Sequence, residues 1–256
     1  MELIDRRSPR ARARITGAVY LLFFLTAIIS EVLLRQAGLS AISSVSGDAA
    51  AVANGIRAHE SLVRWGVALG VFSTACYVAL MALFYQLFRP VSRSLSLIGV
   101  FLSLVGSAIG AFGSLFELAP FVVLRGDSYL SAFDATQLQA MALMLFNLSS
   151  QAGNIALLFF GLFQIVIGYV MFRSTFLPRI LGVLFAMAGL GWLTFMSPPV
   201  ASHFSTYFEV LGFVAEASLM LWLLVMGVNT ERWNEQATAA GGISTPVSMQ
   251  LRRDTT

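Results

Sequence analysis

Four glutamates sit where a carboxylate is costly. Glu31, Glu117, Glu209 and Glu216 all fall inside or at the ends of apolar runs of about twenty residues, the length that crosses a bilayer as a helix. An ionisable side chain near the centre of a bilayer costs at least ~2.5–3.5 kcal/mol on insertion scales, so it must face protein and be protonated, hydrogen-bonded or paired. Glu216 is the one placed near the middle of its run, and the other three lie toward one end of theirs. Glu209 and Glu216 are seven residues apart, hence on one helix face, with Gly212 between them. Glu117 extends by three residues a stripe of Ser103, Ser107, Gly110 and Ser114. Hydrogen-bonding partners of suitable type are Gln151, Asn154 and Gln164 on one run and Tyr20 on another. These eight side chains are the candidate ligand-binding residues, and a carboxylate held among amides and a phenol can carry a proton or hold a cation. Structural roles compete with that reading. Glu31 can pair with Arg35 one turn on, Glu216 can tie two helices together as a neutral acid, and a small-residue stripe lets helices approach.

Other chemistries lack their parts. Only two histidines exist, His59 and His203, and there is no HExxH, no HxxxH and no cysteine pair, Cys76 being alone in an apolar run. A zinc site drawn from His59, His203, Glu117 and Glu209 would need residues from several separate segments, so the expectation is no metal and no cofactor. Neither a GxSxG nucleophile turn nor a phosphate-cradling glycine loop occurs.

The elements that must position these residues follow from composition. Of 256 residues, 57% are hydrophobic and 11% charged, with a mean hydropathy of +0.80, too little polar surface to coat a soluble globule. That excludes a cytosolic enzyme, a secreted disulfide scaffold and a free nucleic-acid-binding domain. Six runs are long enough to span: Ile15 to Leu34, Leu62 to Phe88, Leu95 to Val123, Gly153 to Phe172, Ile180 to Met196 and Tyr207 to Val228. None alternates with a period of two, so they read as helices and not as barrel strands. The expected fold class is therefore all-α, a polytopic six-transmembrane-helix bundle.

All 16 basic residues are arginine, which fits GC-rich coding and a bacterial source. If the N-terminus is cytoplasmic, twelve arginines fall on the inside and four, Arg35, Arg57, Arg64 and Arg125, on the outside. This bias predicts both termini cytoplasmic in a bacterial inner membrane, and it assigns the basic charge to topology and anionic lipid rather than nucleic acid. The expected organisation is a basic cytoplasmic segment over 1–14, the membrane domain over 15–228, and a polar tail over 229–256 with no fixed structure. Two outside segments, 35–61 and 124–152, are long enough to have structure of their own. In the second, Ser131 and Asp134 precede Leu138, Met141, Leu145 and Leu148 at helical spacing, which predicts either a water-side extension of the fourth span, the favoured reading, or an amphipathic helix lying at the surface. "RITGAVY" at Arg14 and "RILGVLF" at Arg179 are similar openings of two spans.

"FFGLFQIVIGYVMFRSTFLPRILGVLFAMAGLGWL" at 159–193, "ARITGAVYLLFFLTAIISE" at 13–31 and "GDSYLSAFDATQLQAMALM" at 126–144 resemble a bacterial membrane family known as domain of unknown function 4386. The resemblance runs from about Arg12 to Leu224, and "FLPRILGVL" and "YLSAFD" are its most specific pieces. It implies a multi-pass inner-membrane protein and supplies no mechanism. Pro178, in the first of those pieces, suits the first turn of a helix, and Gly182 lets that helix pack closely.

Together these readings predict an outward-opening polar cavity between spans 1, 3, 4 and 6, closed toward the cytoplasm by large apolar residues. The function expected is binding or transport of a small cation or amphiphile. The alternatives are an intramembrane enzyme acting on a lipid-like substrate and an accessory subunit of a membrane complex.

Overall fold

The computed structural model describes residues 8–39, 48–125 and 127–241, and every regular element among them is helical. The helices are α1 (Pro9–Gln36), α2 (Ala49–Ala58), α3 (Glu60–Phe88), α4 (Arg93–Arg125), α5 (Ala135–Arg173), α6 (Arg179–Leu193), α7 (Pro198–Val225) and α8 (Thr230–Gly241). All but α2 and α8 are long and apolar enough to cross a membrane, α6 with the help of the 3-10 turn Thr194–Met196 that continues it. The chain is a multi-pass membrane protein whose six spans coincide with the six apolar runs.

The spans form a ring. Going round it, α1 packs on α3, α3 on α4, α4 on α5, α5 on α6, α6 on α7, and α7 closes on α1. Lipid tails are as apolar as leucine, so helices in a membrane associate where small residues let backbones touch. The tightest seam is α5 against α6. A Cβ added at Gly168 would lie 2.7 Å from Gly182 O, and one at Gly161 2.7 Å from Gly189 O. Each pair is spaced by seven residues, so two antiparallel glycine contacts stack along one seam. Gly99, Gly106 and Gly113 of α4, again seven apart, face Ile167, Phe160 and Ala152 of α5. Gly66 and Gly70 of α3 meet Ser30 of α1, whose hydroxyl donates to Gly66 O at 2.7 Å. Gly17 touches the backbone of Leu224, and Gly182 that of Phe172, so the glycines of the two similar heptapeptides both seat a neighbouring helix. Around the outside, Phe101, Phe112 and Leu115 of α4 and Val210 and Phe213 of α7 remain exposed, as a lipid-facing surface requires.

One end of the ring gathers the start of α1, the 174–178 connection and α8. Arg14 donates to Val225 O at 3.2 Å, Phe88 stacks on Phe176, and the Thr175 N–H and hydroxyl both donate to Gln236 Oε1. The helix α8 occupies twelve residues that composition alone reads as unstructured tail. Its anchor is Trp233, 7% exposed, whose indole N–H donates to Leu87 O at 3.0 Å while the Arg12 guanidinium lies over its ring. Asn229 caps the helix by accepting from Arg232 N. The remainder of the expected tail, 242–256, and the first seven residues lie outside the described residues.

At the opposite end α5 begins well before its span. Asp134 and Gln137 form a reciprocal capping box, and the helix runs unbroken for 39 residues to Arg173, so the segment is the water-side extension expected from its spacing. The short helix α2, capped by Asp48, packs Ala53 and Ile56 into a cluster with Leu34, Phe146 and Leu124. Pro178 stands one residue ahead of α6 as its N-cap rather than inside its first turn.

Gly227 ends α7 in a left-handed conformation, φ +69°, its N–H donating to Trp222 O. A Cβ there would be strained in itself and would lie 3.0 Å from Arg10 Cγ. Gly227→Ala is expected to cost about 1 kcal/mol, read as a lower unfolding midpoint in detergent. An unchanged midpoint would show that the turn can relax.

Candidate functional site

Inside the ring the two halves differ. Toward the end that holds the start of α1 and α8, Phe84, Phe88, Phe163, Phe185, Met171 and Leu219 are fully buried and fill the middle. Phe84 and Phe163 stack at 6.3 Å across it, and Phe185 meets Phe163 edge-on at 6.0 Å. Beyond this plug lies a cavity of about 240 Å³ lined by Phe23 of α1, Thr74 and Tyr77 of α3, and Ser107 and Gly110 of α4. Its wall is completed by Leu157, Phe160 and Gln164 of α5, Trp192 of α6 and Glu216 of α7. All six spans contribute, not only spans 1, 3, 4 and 6. Liquid water occupies about 30 Å³ per molecule, so the space suits about eight waters or an organic group of similar size.

Glu216 lies nine residues, about 14 Å at 1.5 Å per residue, from the end of α7 at Val225. That places it near the middle of the span, just above the plug. Gln164 Nε2 donates to Glu216 Oε1 at 2.7 Å, joining α5 to α7 across the ring. Tyr20 and Tyr77 are within electrostatic reach of the same carboxylate. Tyr20 is itself buried, 5.8 Å edge-on from Phe84, at the border of plug and cavity. Trp192 is held against Gly212, where a Cβ would lie 2.5 Å from the indole. The glycine midway between Glu209 and Glu216 therefore seats the cavity's largest aromatic wall.

The other candidates lie toward the opposite end. Glu117 is 8% exposed and accepts from Ser149 Oγ at 3.1 Å. It stands on the face of α4 that carries Ser107 and Gly110, seven residues beyond the latter. Glu31 binds Arg35 Nε at 2.6 Å, and Glu209 is within electrostatic reach of both. Asn154 continues the cavity face of α5 by one turn beyond Leu157, and its Oδ1 is buried without a hydrogen-bond partner. Gln151 is exposed. The eight candidates thus divide into a central group of Glu216, Gln164 and Tyr20 and an end group of Glu117, Glu31 and Glu209, with Asn154 between and Gln151 outside both. Among the described residues, no three His, Cys, Asp or Glu side chains come together as a metal site.

A family model described as a domain of unknown function, DUF4386, matches residues 15–227. The chain belongs to the DUF4386 family. The DUF4386 region takes in α1 from Ile15, the other five ring helices whole and every candidate residue, and stops at the glycine that ends α7, leaving α8 outside. No curated protein and no solved structure matches the chain.

Sequence reasoning did not single out Ser149, the partner of Glu117, or the aromatic wall of Phe23, Tyr77, Phe160 and Trp192. A signal for part of it was present: Phe160 and Gln164 are four residues apart and share a helix face.

Proposed function

We propose that this chain binds a small organic cation or cationic amphiphile in the central cavity, with Glu216 as the charge it meets. The observation that carries the reading is a single carboxylate facing a space walled by Phe23, Tyr77, Phe160 and Trp192. Ring faces attract cations and accommodate apolar stems, and a carboxylate in a water-poor cavity attracts a positive head more strongly than it would in water. In this reading the arginine-rich end with the start of α1 and α8 is cytoplasmic, in a bacterial inner membrane. The cavity then opens outward along the polar stripe toward Glu117, and the aromatic plug closes it below. The fully buried plug of Phe84, Phe88, Phe163, Phe185, Met171 and Leu219 on one side of the cavity favours a binding role over transport. The division of the carboxylates into two groups tells against an enzyme that pairs Glu216 with an outer acid.

The test is titration of the full chain in zwitterionic nanodiscs with n-hexylammonium by calorimetry, with n-hexanol as the neutral control. A hydrogen bond to a charged group contributes about 1.5–3 kcal/mol, so Glu216→Gln is expected to weaken binding of the ammonium at least ~10-fold and leave hexanol unaffected. Equal affinity of the variant and the native chain for hexylammonium, with the variant folded, would falsify the reading.

A further inference from the structure

The hydrogen-bonding pattern around Glu216 and Gln164 restricts the kind of cation. We infer that the ligand of the cavity carries N–H donors, an alkylammonium with at least one hydrogen on nitrogen and not a quaternary ammonium. The inference rests on the cation reading above and narrows it.

Gln164 is 3% exposed, and its amide is only half used. Nε2 donates to Glu216, while Oε1 is a buried acceptor with no hydrogen-bond partner. Among the described residues the Gln164 amide is the one hydrogen-bond donor to the Glu216 carboxylate, so that carboxylate also has accepting capacity to spare. The hydroxyls of the wall do not redress this. Thr74 Oγ1 donates to Gly70 O at 3.0 Å and Ser107 Oγ to Ser103 O at 2.9 Å, so both direct their hydrogens to their own helices and offer the cavity lone pairs. The donors left on the wall are the second N–H of Gln164, the Trp192 indole and the Tyr77 hydroxyl, the last within hydrogen-bonding reach of Ser103. A buried acceptor without a donor is destabilising, and a site whose polar groups await a donor discriminates strongly against an analogue that lacks one. An ammonium N–H can meet the Gln164 carbonyl and the Glu216 carboxylate together. A trimethylammonium head can meet neither by hydrogen bonding, although the aromatic faces would still attract its charge.

The experiment compares n-hexylammonium, N,N-dimethylhexylammonium and N,N,N-trimethylhexylammonium on the full chain in zwitterionic nanodiscs at a pH where all three are charged. The tertiary and quaternary heads are nearly equal in bulk, so the step between them isolates the last N–H. The expected result is at least tenfold loss at that step. Gln164→Met, close in shape, should narrow the gap between n-hexylammonium, which has N–H groups for both acceptors, and the trimethyl ion at least threefold and leave the Glu216→Gln effect in place, with thermal unfolding as the check on folding. Comparable affinities for the tertiary and quaternary ions in the native chain would overturn the donor requirement and leave the cation reading standing. Failure of all three ions to bind, or binding indifferent to Glu216→Gln, would overturn the cation reading itself. The native-chain comparison decides the point even if Gln164→Met fails to fold.

Discussion

Gly182→Leu is expected to destabilise the chain by about 3 kcal/mol or more, the upper range for forcing bulk into a packed interior. A Cβ at 182 would lie 2.6 Å from both Gly168 O and Phe172 N. These are backbone atoms of a helix and cannot rotate aside as a side chain would, so α5 and α6 must separate. Two rigid helices pushed apart at one contact also part at the next, and the Gly161 and Gly189 contact lies seven residues along the same seam. Unfolding in detergent, by heat or by added denaturing surfactant, measures the loss, with Gly182→Ala falling between leucine and the native chain. Gly110→Ala is the control, because its Cβ would meet nothing closer than 3.9 Å and should leave stability unchanged or raise it. A leucine variant that unfolds with the native chain would refute the backbone contact.

Trp233→Ala is expected to release α8. The substitution removes a buried indole, its hydrogen bond to Leu87 O and the ring beneath Arg12. Truncating a buried tryptophan costs about 3–5 kcal/mol in soluble proteins. With this end at the cytoplasmic face, as proposed above, water reaches the surface on which α8 docks, and the hydrophobic effect acts on it as it does not between the spans. Limited proteolysis in detergent should cleave within 230–241 at least tenfold faster in the variant, while the six spans stay folded. Trp233→Phe keeps most of the packing and loses the N–H bond, for an intermediate cost of about 1 kcal/mol. Equal cleavage rates in Trp233→Ala and the native chain would show that the tryptophan does not hold the helix.

The spans were legible because each needs about 20 apolar residues, a signal that survives without tertiary information. The capping box at Asp134 and the Leu138 to Leu148 spacing likewise marked the extended start of α5 in local sequence. The twelve residues of α8 were not, because apart from three alanines their one apolar residue is Trp233, whose burial depends on α3 and α1 far away in the chain. For the candidate site, a carboxylate inside a span was visible as an energetic anomaly, and Gln164 was named as a suitable partner type. Which acid it would meet depends on how α5 and α7 are rotated in the ring. The rotation of α5 is set against α6 by glycines 161, 168, 182 and 189, whose seven-residue spacing becomes informative only when those two helices are set side by side, and that of α7 by Gly212 against Trp192 of α6. Aromatic residues are common on lipid faces and in apolar plugs alike, so Phe23, Tyr77, Phe160 and Trp192 carried no mark of their place on a wall.

Ring closure has a consequence for biogenesis. The chain emerges from the ribosome N-terminus first, so α1 is in place long before α7. Until the seventh helix arrives, the notch at Gly17 that receives Leu224 has only lipid against it. Arg12 must likewise wait for Trp233, eight residues beyond the end of α7. A nascent chain stalled before residue 224 therefore presents an open crescent of helices rather than a closed ring, with Glu216 still lacking its finished surroundings. Such a crescent is the state that an insertase or a membrane protease would encounter.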